Sequence, residues 1–323
     1  MRAAVYTRRG PAREVLRVVE LPDPTPGPGE VRVRVRVSGV NPTDWKSRQG
    51  DGPVAGGWQI PNQDGAGDID AVGEGVDPGR LGERVWVYHA AAGRPTGTAA
   101  AYTCVPSEQA VPLPDIVTYA QGAGLGIPYV TAHRCLFADG PIEGRCVLVT
   151  GGAGAVGHAA VQLARLAGAR VLTTVSSPDK ARVAATARPA AILNYRDADF
   201  VDQLRRAAPD GVDRVIEVAL GANLEASLSV LAPHGTIVSY ASEAHDPVIP
   251  ERRLMTGNVT IRFVLVYNLT PAMIADAVAA ISAALAEGEL VPLPEQHFSL
   301  EEIAAAHDAV ESGAVGKVLV DVG

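Results

Sequence analysis

The sequence predicts an α/β protein of two domains, one β-rich and one built on a doubly wound parallel sheet. Three observations lead there. The chain has 323 residues, more than one hydrophobic core usually serves. Its first part reads as short strands punctuated by turn residues. From about residue 120 onward, strand-like and amphipathic helix-like segments alternate. Apolar residues make up 47% of the chain, so core material is ample. No apolar run reaches the roughly 18 residues that a membrane-spanning helix needs.

Taken in order, MRAAVYTRRG carries charge from Arg2 and lacks the pattern of a signal or transit peptide, so the cytoplasm is the expected location. LPDPTPGPGE forbids regular helix and reads as a rigid surface connector. VRVRVRV (31–37) alternates apolar and basic residues as a half-buried strand does, and AGDIDAVGEGV and GERVWVY add strand-and-turn units. AQGAGLGIPYVTAHRCLF has helical apolar spacing interrupted by Pro128. RCVLVTG, HAAVQLARLAG, ARVLTTVS, PDKARVAATA, AAILNY, FVDQLRRAA, VDRVIEVA, NLEASLSVLA, GTIVSYAS and NVTIRFVLVY then alternate as strands and helices, the signature of a parallel sheet covered on both faces. In the tail, PAMIADAVAAISAALAEG and LEEIAAAHDAVESG read as helices and KVLVDV as a strand. Such a unit has no core of its own, so it is expected to return to the first domain. The expected division is 1–120, completed by 268–323, around a second domain at 121–267.

A formal net charge of -8 opposes a general grip on a nucleic-acid backbone. Cys104, Cys135 and Cys146 lack the short paired spacings of a zinc site or a disulfide framework and read as small buried apolar residues.

The most informative stretch is VLVTGGAGAVGHAAVQLARLAG (147–168), where Gly152, Gly154 and Gly157 form G-x-G-x-x-G between an apolar strand and a helix. This is the context of a Rossmann dinucleotide site. Glycines permit a tight turn and close approach of backbone to a pyrophosphate, and the helix N-terminus offers free N–H groups and partial positive charge. The phosphates are expected over Ala153, Gly154, Ala155 and Val156. About 20 residues beyond the last glycine, an acidic side chain would hold the ribose hydroxyls of NAD. Ser176 and Ser177 stand there instead, followed by Lys180. Hydroxyls and an ammonium suit a 2'-phosphate, which favours NADPH. The same residues also read as a helix cap at Ser177 with a solvated Lys180, and Asp179 counts against a phosphate.

GVNPTDWKSRQG (39–50), PNQDGAGDIDAVGEGV (61–76), GAGLGIPYVTAHRCL (122–136), VLVTGGAGAVGHAA and a terminal GKVLV follow the order found in quinone oxidoreductases. Over its whole length the chain resembles the zinc-free medium-chain dehydrogenase/reductases of that zeta-crystallin-like branch. The resemblance implies a GroES-like first domain completed by the tail, a Rossmann domain, an active-site cleft where they meet, and a homodimer joined through the edge strand NVTIRFVLVY. Zinc-dependent relatives place a Cys in the segment matching Gly39 to Thr43 and Gly-His-Glu where Asn62, Gln63 and Asp64 stand here, so no metal is expected. Asp64 reads as a turn or packing carboxylate. The resemblance puts Asn41, Lys46 and Thr131 beside the nicotinamide, and Ser176, Lys180 and Tyr195 around the adenosine phosphate. It puts Asn223, Tyr240, Ala241 and Ser242 along the cofactor, and Phe263, Val264 and Leu265 where the last strand passes the nicotinamide. The family usually has tyrosine where Lys46 stands.

The expected activity is NADPH-dependent reduction of a quinone or another α,β-unsaturated carbonyl, a small-molecule electrophile, by hydride transfer. Negative charge then grows on the carbonyl oxygen, and donors aimed there stabilise the transition state. Asn41, Lys46 and Tyr129 are the candidates. Equally simple roles are open to them: a turn residue before Pro42, a solvated charge, and a packed aromatic. Two other activities compete. One is reduction of an enoyl thioester or enone double bond, although the Lys and Asp that some enoyl reductases use are replaced by Ser242 and Val266. The other is a non-catalytic NADPH-binding sensor, RNA-binding or structural protein.

Overall fold

The computed structural model describes residues 1–242 and 246–323. They form two compact units, 1–127 with 278–323, and 128–277.

In the first unit, β1 (Arg2–Val5) and β2 (Arg17–Glu20) make an antiparallel ribbon around α1 (Ala12–Val15). The alternating stretch becomes β3 (Glu30–Gly39), which buries Val31, Val33, Val35 and Val37 on one face. After α2 (Pro42–Gln49) come β4 (Asp64–Val72), β5 (Arg84–Val87), β6 (Tyr102–Pro106) and β7 (Ala110–Pro112). The tail contributes β14 (Glu295–Ser299), α11 (Ile303–Glu311) and β15 (Lys317–Asp321). Among the described residues the sheet order is β14-β15-β3-β4-β5-β7, with β6 also paired to β3. β15 thus lies directly beside β3, pairing Leu319 with Gly39. Leu300, Ile303, Ala306, Val318 and Val320 of the tail share one core with Ala3, Ala4, Tyr6 and Val40. This packing supplies the partner that the tail lacks alone.

The short helix α3 (Tyr119–Gly122) precedes α4 (Gly126–Phe137). Pro128 does not interrupt α4. It sits in the first turn, where a backbone N–H would have no intrahelical acceptor. The divisions between units fall inside α4 and inside α10 (Pro271–Ala286). They lie later than the boundaries expected from sequence, because the apolar pattern changes before the packing does.

The second unit alternates β8 (Cys146–Val149), α5 (Ala155–Leu166), β9 (Arg170–Val175), α6 (Pro178–Thr186), β10 (Ala191–Asn194) and α7 (Phe200–Ala207). It continues with β11 (Val212–Glu217), α8 (Leu220–Val230), β12 (Leu231–Ser239), α9 (Glu251–Gly257) and β13 (Thr260–Phe263). All neighbouring pairs are parallel, in the order β10-β9-β8-β11-β12-β13. This is the Rossmann order, with its reversal of direction at β8. Leu148, Leu172, Leu204, Val215 and Ile237 lie in its core. The last strand is shorter than NVTIRFVLVY suggests. β12 stops at Ser239, which pairs with Phe263, so the ladder has no partner beyond.

Candidate functional site

In an open parallel sheet ligands bind outside the carboxyl ends of the strands, where the order reverses. Apart from Tyr129 and Thr131 on α4, the residues singled out in the second unit follow the carboxyl ends of its strands. After β8, Thr150 donates its hydroxyl to Ile216 O at 3.2 Å and Glu217 Oε1 at 2.9 Å, fixing the start of the glycine loop against β11. The tight turn falls on Gly151, at φ +72°, which the spacing of Gly152, Gly154 and Gly157 does not single out. Gly152 packs on β9, where a Cβ would lie 2.0 Å from Thr173 Oγ1. Gly157 packs on the loop itself, where a Cβ would lie 2.3 Å from Gly151 O. Gly154 is the exposed N-cap of α5, between buried Ala153 and half-buried Ala155 and Val156. The two packing glycines therefore hold the loop flat on the sheet, while the N-terminus of α5 stays open. That arrangement fits a pyrophosphate.

At the end of β9, Ser176 is buried and Ser177 is the N-cap of α6, its hydroxyl accepting from Lys180 N at 3.3 Å. The capping role read for Ser177 is therefore present. Lys180 is half-buried in the first turn of α6, and Tyr195, just past β10, is 47% exposed. Tyr195 N donates to Val175 O at 3.0 Å, so Tyr195 and Ser176 end neighbouring strands. Asp179, the residue that argues against a phosphate, is ion-paired with Arg182.

Asn223, in the first turns of α8, donates its amide to Glu217 Oε1 at 2.8 Å. Glu217 is fully buried, and the same oxygen accepts from Ala219 N at 2.7 Å. Glu217 thus ties β8, β11 and α8 together, a role with no motif to announce it. Tyr240, Ala241 and Ser242 follow β12, and burial raises the Tyr240 phenol above its ordinary range. Phe263 and Leu265 are 70% and 56% exposed around buried Val264. Thr131 and Tyr129 are buried on α4. The Tyr129 hydroxyl accepts from Gln162 Nε2 at 3.0 Å, and burial pushes its pKa up to about 12.

The first unit holds the other two candidates, and α2 places them in opposite surroundings. Lys46 is exposed, its ammonium 5.9 Å from the Trp45 ring centroid. Asn41 is buried at the N-cap, and its backbone N donates to Asp44 Oδ2 at 2.7 Å. Its amide Nδ2 donates to Asp64 Oδ2 at 2.7 Å, while its Oδ1 accepts from Lys317 Nζ at 2.8 Å. Asp64 is fully buried and also accepts from Ile127 N at 3.0 Å, capping α4. Burial raises Asp64 to about 6, although Lys317, Asn41 and Ile127 oppose the shift. Burial likewise raises Asp44 and lowers Lys317. Asn62 bonds Ser38 at 2.9 Å and His307 at 3.1 Å, and Gln63 Oε1 accepts from Ala91 N at 3.2 Å. Among the described residues, no group of three or more His, Cys, Asp or Glu stands where it could hold a metal ion. No described helix is long and apolar enough to cross a membrane.

Comparison with known proteins agrees with this architecture. Residues 27–115 match the alcohol dehydrogenase GroES-like domain, and residues 155–283 match the zinc-binding dehydrogenase family. A quinone oxidoreductase of Pongo abelii is 31% identical over 264 residues, covering 80% of this chain and 79% of the relative. A solved NAD-dependent alcohol dehydrogenase superposes with a TM-score of 0.89 at 28% identity, covering all of both chains. A mycobacterial protein solved with NADPH gives 0.86 at 28% identity over 99% of each chain. With a Rossmann unit, a GroES-like unit and relatives of this closeness, the chain belongs to the quinone oxidoreductase family of the medium-chain dehydrogenases/reductases.

Proposed function

We propose that this oxidoreductase reduces quinones or related α,β-unsaturated carbonyl compounds with NADPH, by hydride transfer without zinc, as a cytoplasmic homodimer. The observation that carries the cofactor preference is the end of β9. Ser176, Ser177 and Lys180 stand where a ribose-binding carboxylate would be, Tyr195 ends the next strand, and Asp179 is held by Arg182. Hydroxyl and ammonium donors suit a phosphate, whereas a carboxylate would repel one. NADPH supplies the hydride when bound. The glycine loop and α5 hold its pyrophosphate, and the carboxyl edge of the sheet sets its orientation. Asn41, Lys46 and Tyr129 are the donors offered to the carbonyl oxygen as it gains charge. Of these, Asn41 is the best held, by partners at both ends of its amide.

The zinc-free reading rests on hydrogen bonds already made. Asn62, Gln63 and Asp64, at the place of the Gly-His-Glu segment, are each bonded inside the fold. A metal at Asp64 would compete with Asn41 and the α4 cap for the same two carboxylate oxygens. The dimer reading rests on β13, the edge of the parallel sheet, with Phe263 and Leu265 exposed beside it.

Fluorescence titration with NADPH and NADH tests the proposal, followed by turnover with quinones, enones and enoyl thioesters. At least tenfold tighter NADPH binding is expected, with Lys180→Ala removing most of that preference. Equal affinities for the two cofactors, or stoichiometric zinc in active protein, would overturn the reading. Turnover of enoyl thioesters alone would replace quinones as the substrate class.

A further inference from the structure

Asn41 lies between two buried charges of opposite sign, brought to it from distant parts of the chain. Asp64 on β4 accepts from Nδ2 at 2.7 Å, and Lys317, the first residue of β15, donates to Oδ1 at 2.8 Å. An asparagine amide can sit in two orientations related by a flip, and nothing in its shape chooses between them. Here the charges choose. Reversal would turn the carbonyl oxygen toward a carboxylate and the NH2 group toward an ammonium, replacing two charge-assisted bonds with two repulsions. All three side chains are buried, so water does little to weaken that preference.

The fold makes room for this arrangement at two glycines. A Cβ on Gly126 would lie 2.1 Å from Asp64 Oδ1. A Cβ on Gly39 would lie 2.0 Å from Ala123 O and 3.2 Å from Lys317 Cε. Asp44 holds the Asn41 backbone N from the other side, and Lys317 also donates to Val40 O at 3.2 Å.

We infer that Lys317 and Asp64 are positioning residues that clamp the Asn41 amide in one orientation, leaving its second N–H as a preset donor for a ligand oxygen. The inference rests on the reading of Asn41 as a donor and adds what holds it. With Oδ1 engaged by Lys317, the side chain can give a hydrogen bond to the ligand far more readily than it can receive one. It therefore selects an acceptor, such as a quinone or enone oxygen. The titratable groups facing Asp64 are Lys317 on β15 and Asp44 on α2, with Asn41 and the α4 backbone supplying its hydrogen bonds.

Two measurements test the clamp. The chain has six asparagines, few enough for selective 15N-asparagine labelling to isolate the Asn41 side-chain signal in the protein without cofactor, assigned by its loss in Asn41→Ala. The signal is expected to move with pH about a midpoint near 6, as Asp64 titrates. It should lose that movement in Asp64→Asn and shift in Lys317→Met. In turnover of 1,4-benzoquinone with NADPH, each variant should lower kcat by about 10- to 100-fold, with the KM for NADPH within threefold, the pattern of a misplaced donor. Where a single variant does not fold by near-UV circular dichroism, the double variant Asp64→Asn/Lys317→Met removes both charges together, and the same losses are expected of it. Wild-type kcat in a folded clamp variant, or an Asn41 signal indifferent to both substitutions, overturns the inference. If Asn41→Ala itself turns over like wild type, the donor reading falls and the clamp with it. If Asn41→Ala is slow while the clamp variants are not, only the clamp falls.

Discussion

Single residues decide the quality of both candidate sites. Gly157 is the sharpest case in the second unit, because an added methyl would press on the backbone oxygen of Gly151, an atom that cannot turn aside as a side chain can. Gly157→Ala is expected to cost about 1–3 kcal/mol, as overpacking does, and to weaken NADPH binding at least tenfold by lifting the loop from α5. Urea unfolding and cofactor titration read the two effects separately. Wild-type binding in this variant would mean that the loop tolerates movement and does not shape the phosphate site. The glycine spacing was legible because G-x-G-x-x-G between a strand and a helix brings backbone N–H groups close enough together to hold a pyrophosphate. The residue that makes the turn, Gly151, was hidden by its neighbour of the same type. Asn41 was legible as a candidate. Its partners were not, since Lys317 lies 276 residues away, and a lysine opening an apolar strand reads as a solvated end.

At the scale of elements, the alternation of strands and helices fixed the parallel sheet because each segment carries its own period. Edge elements were harder to read. β14 has little alternation in EQHFS, so no period in the sequence marks it. β13 came out short because a strand extends only as far as its neighbour can pair with it. That edge leads to a separate expectation. Among the described residues no strand pairs with the outer edge of β13, Phe263 and Leu265 are exposed beside it, and burying such a surface against a second copy is favourable. Light scattering should give twice the chain mass of 33.5 kDa for the wild type and a single chain for Phe263→Glu, which puts a charge at the joint. A wild-type monomer, or a dimer indifferent to the substitution, would move the interface elsewhere.

For the whole molecule, buried ionisable groups set the response to acid. Burial lowers His89 and His158 to about 4 and His307 to about 3, from an ordinary 6.5. Their folded values lie below their unfolded ones, so the stability they contribute is complete above about pH 6.5 and drains as the pH falls toward 4. Asp64, raised to about 6, and Asp44, also raised, act in the opposite sense. Their contributions are present below about pH 4 and lost as the pH rises through their folded values. Near pH 5 the unfolded chain holds about three extra protons on the histidines and the folded chain about two on the carboxylates. Across these five groups the net is about one proton taken up on unfolding, or about 1.4 kcal/mol of their contribution lost per pH unit as the pH falls. Urea unfolding at pH 6.5, 5.5 and 4.5 checks this slope. His307→Gln, which keeps a polar partner for Asn62, should bring it close to zero, and an unchanged slope would show that His307 does not titrate this way.

By itself the sequence determined the parallel sheet, the glycine-rich loop between β8 and α5 and the family, because each is written in local period or in residues only a few positions apart. Tertiary structure decided the surroundings of the candidate donors. It left Lys46 exposed, turned the Tyr129 hydroxyl onto Gln162 and set Asn41 between Asp64 and Lys317. The physical reason is that burial and the pairing of charges depend on which distant segments pack together, and no local pattern in the chain records that.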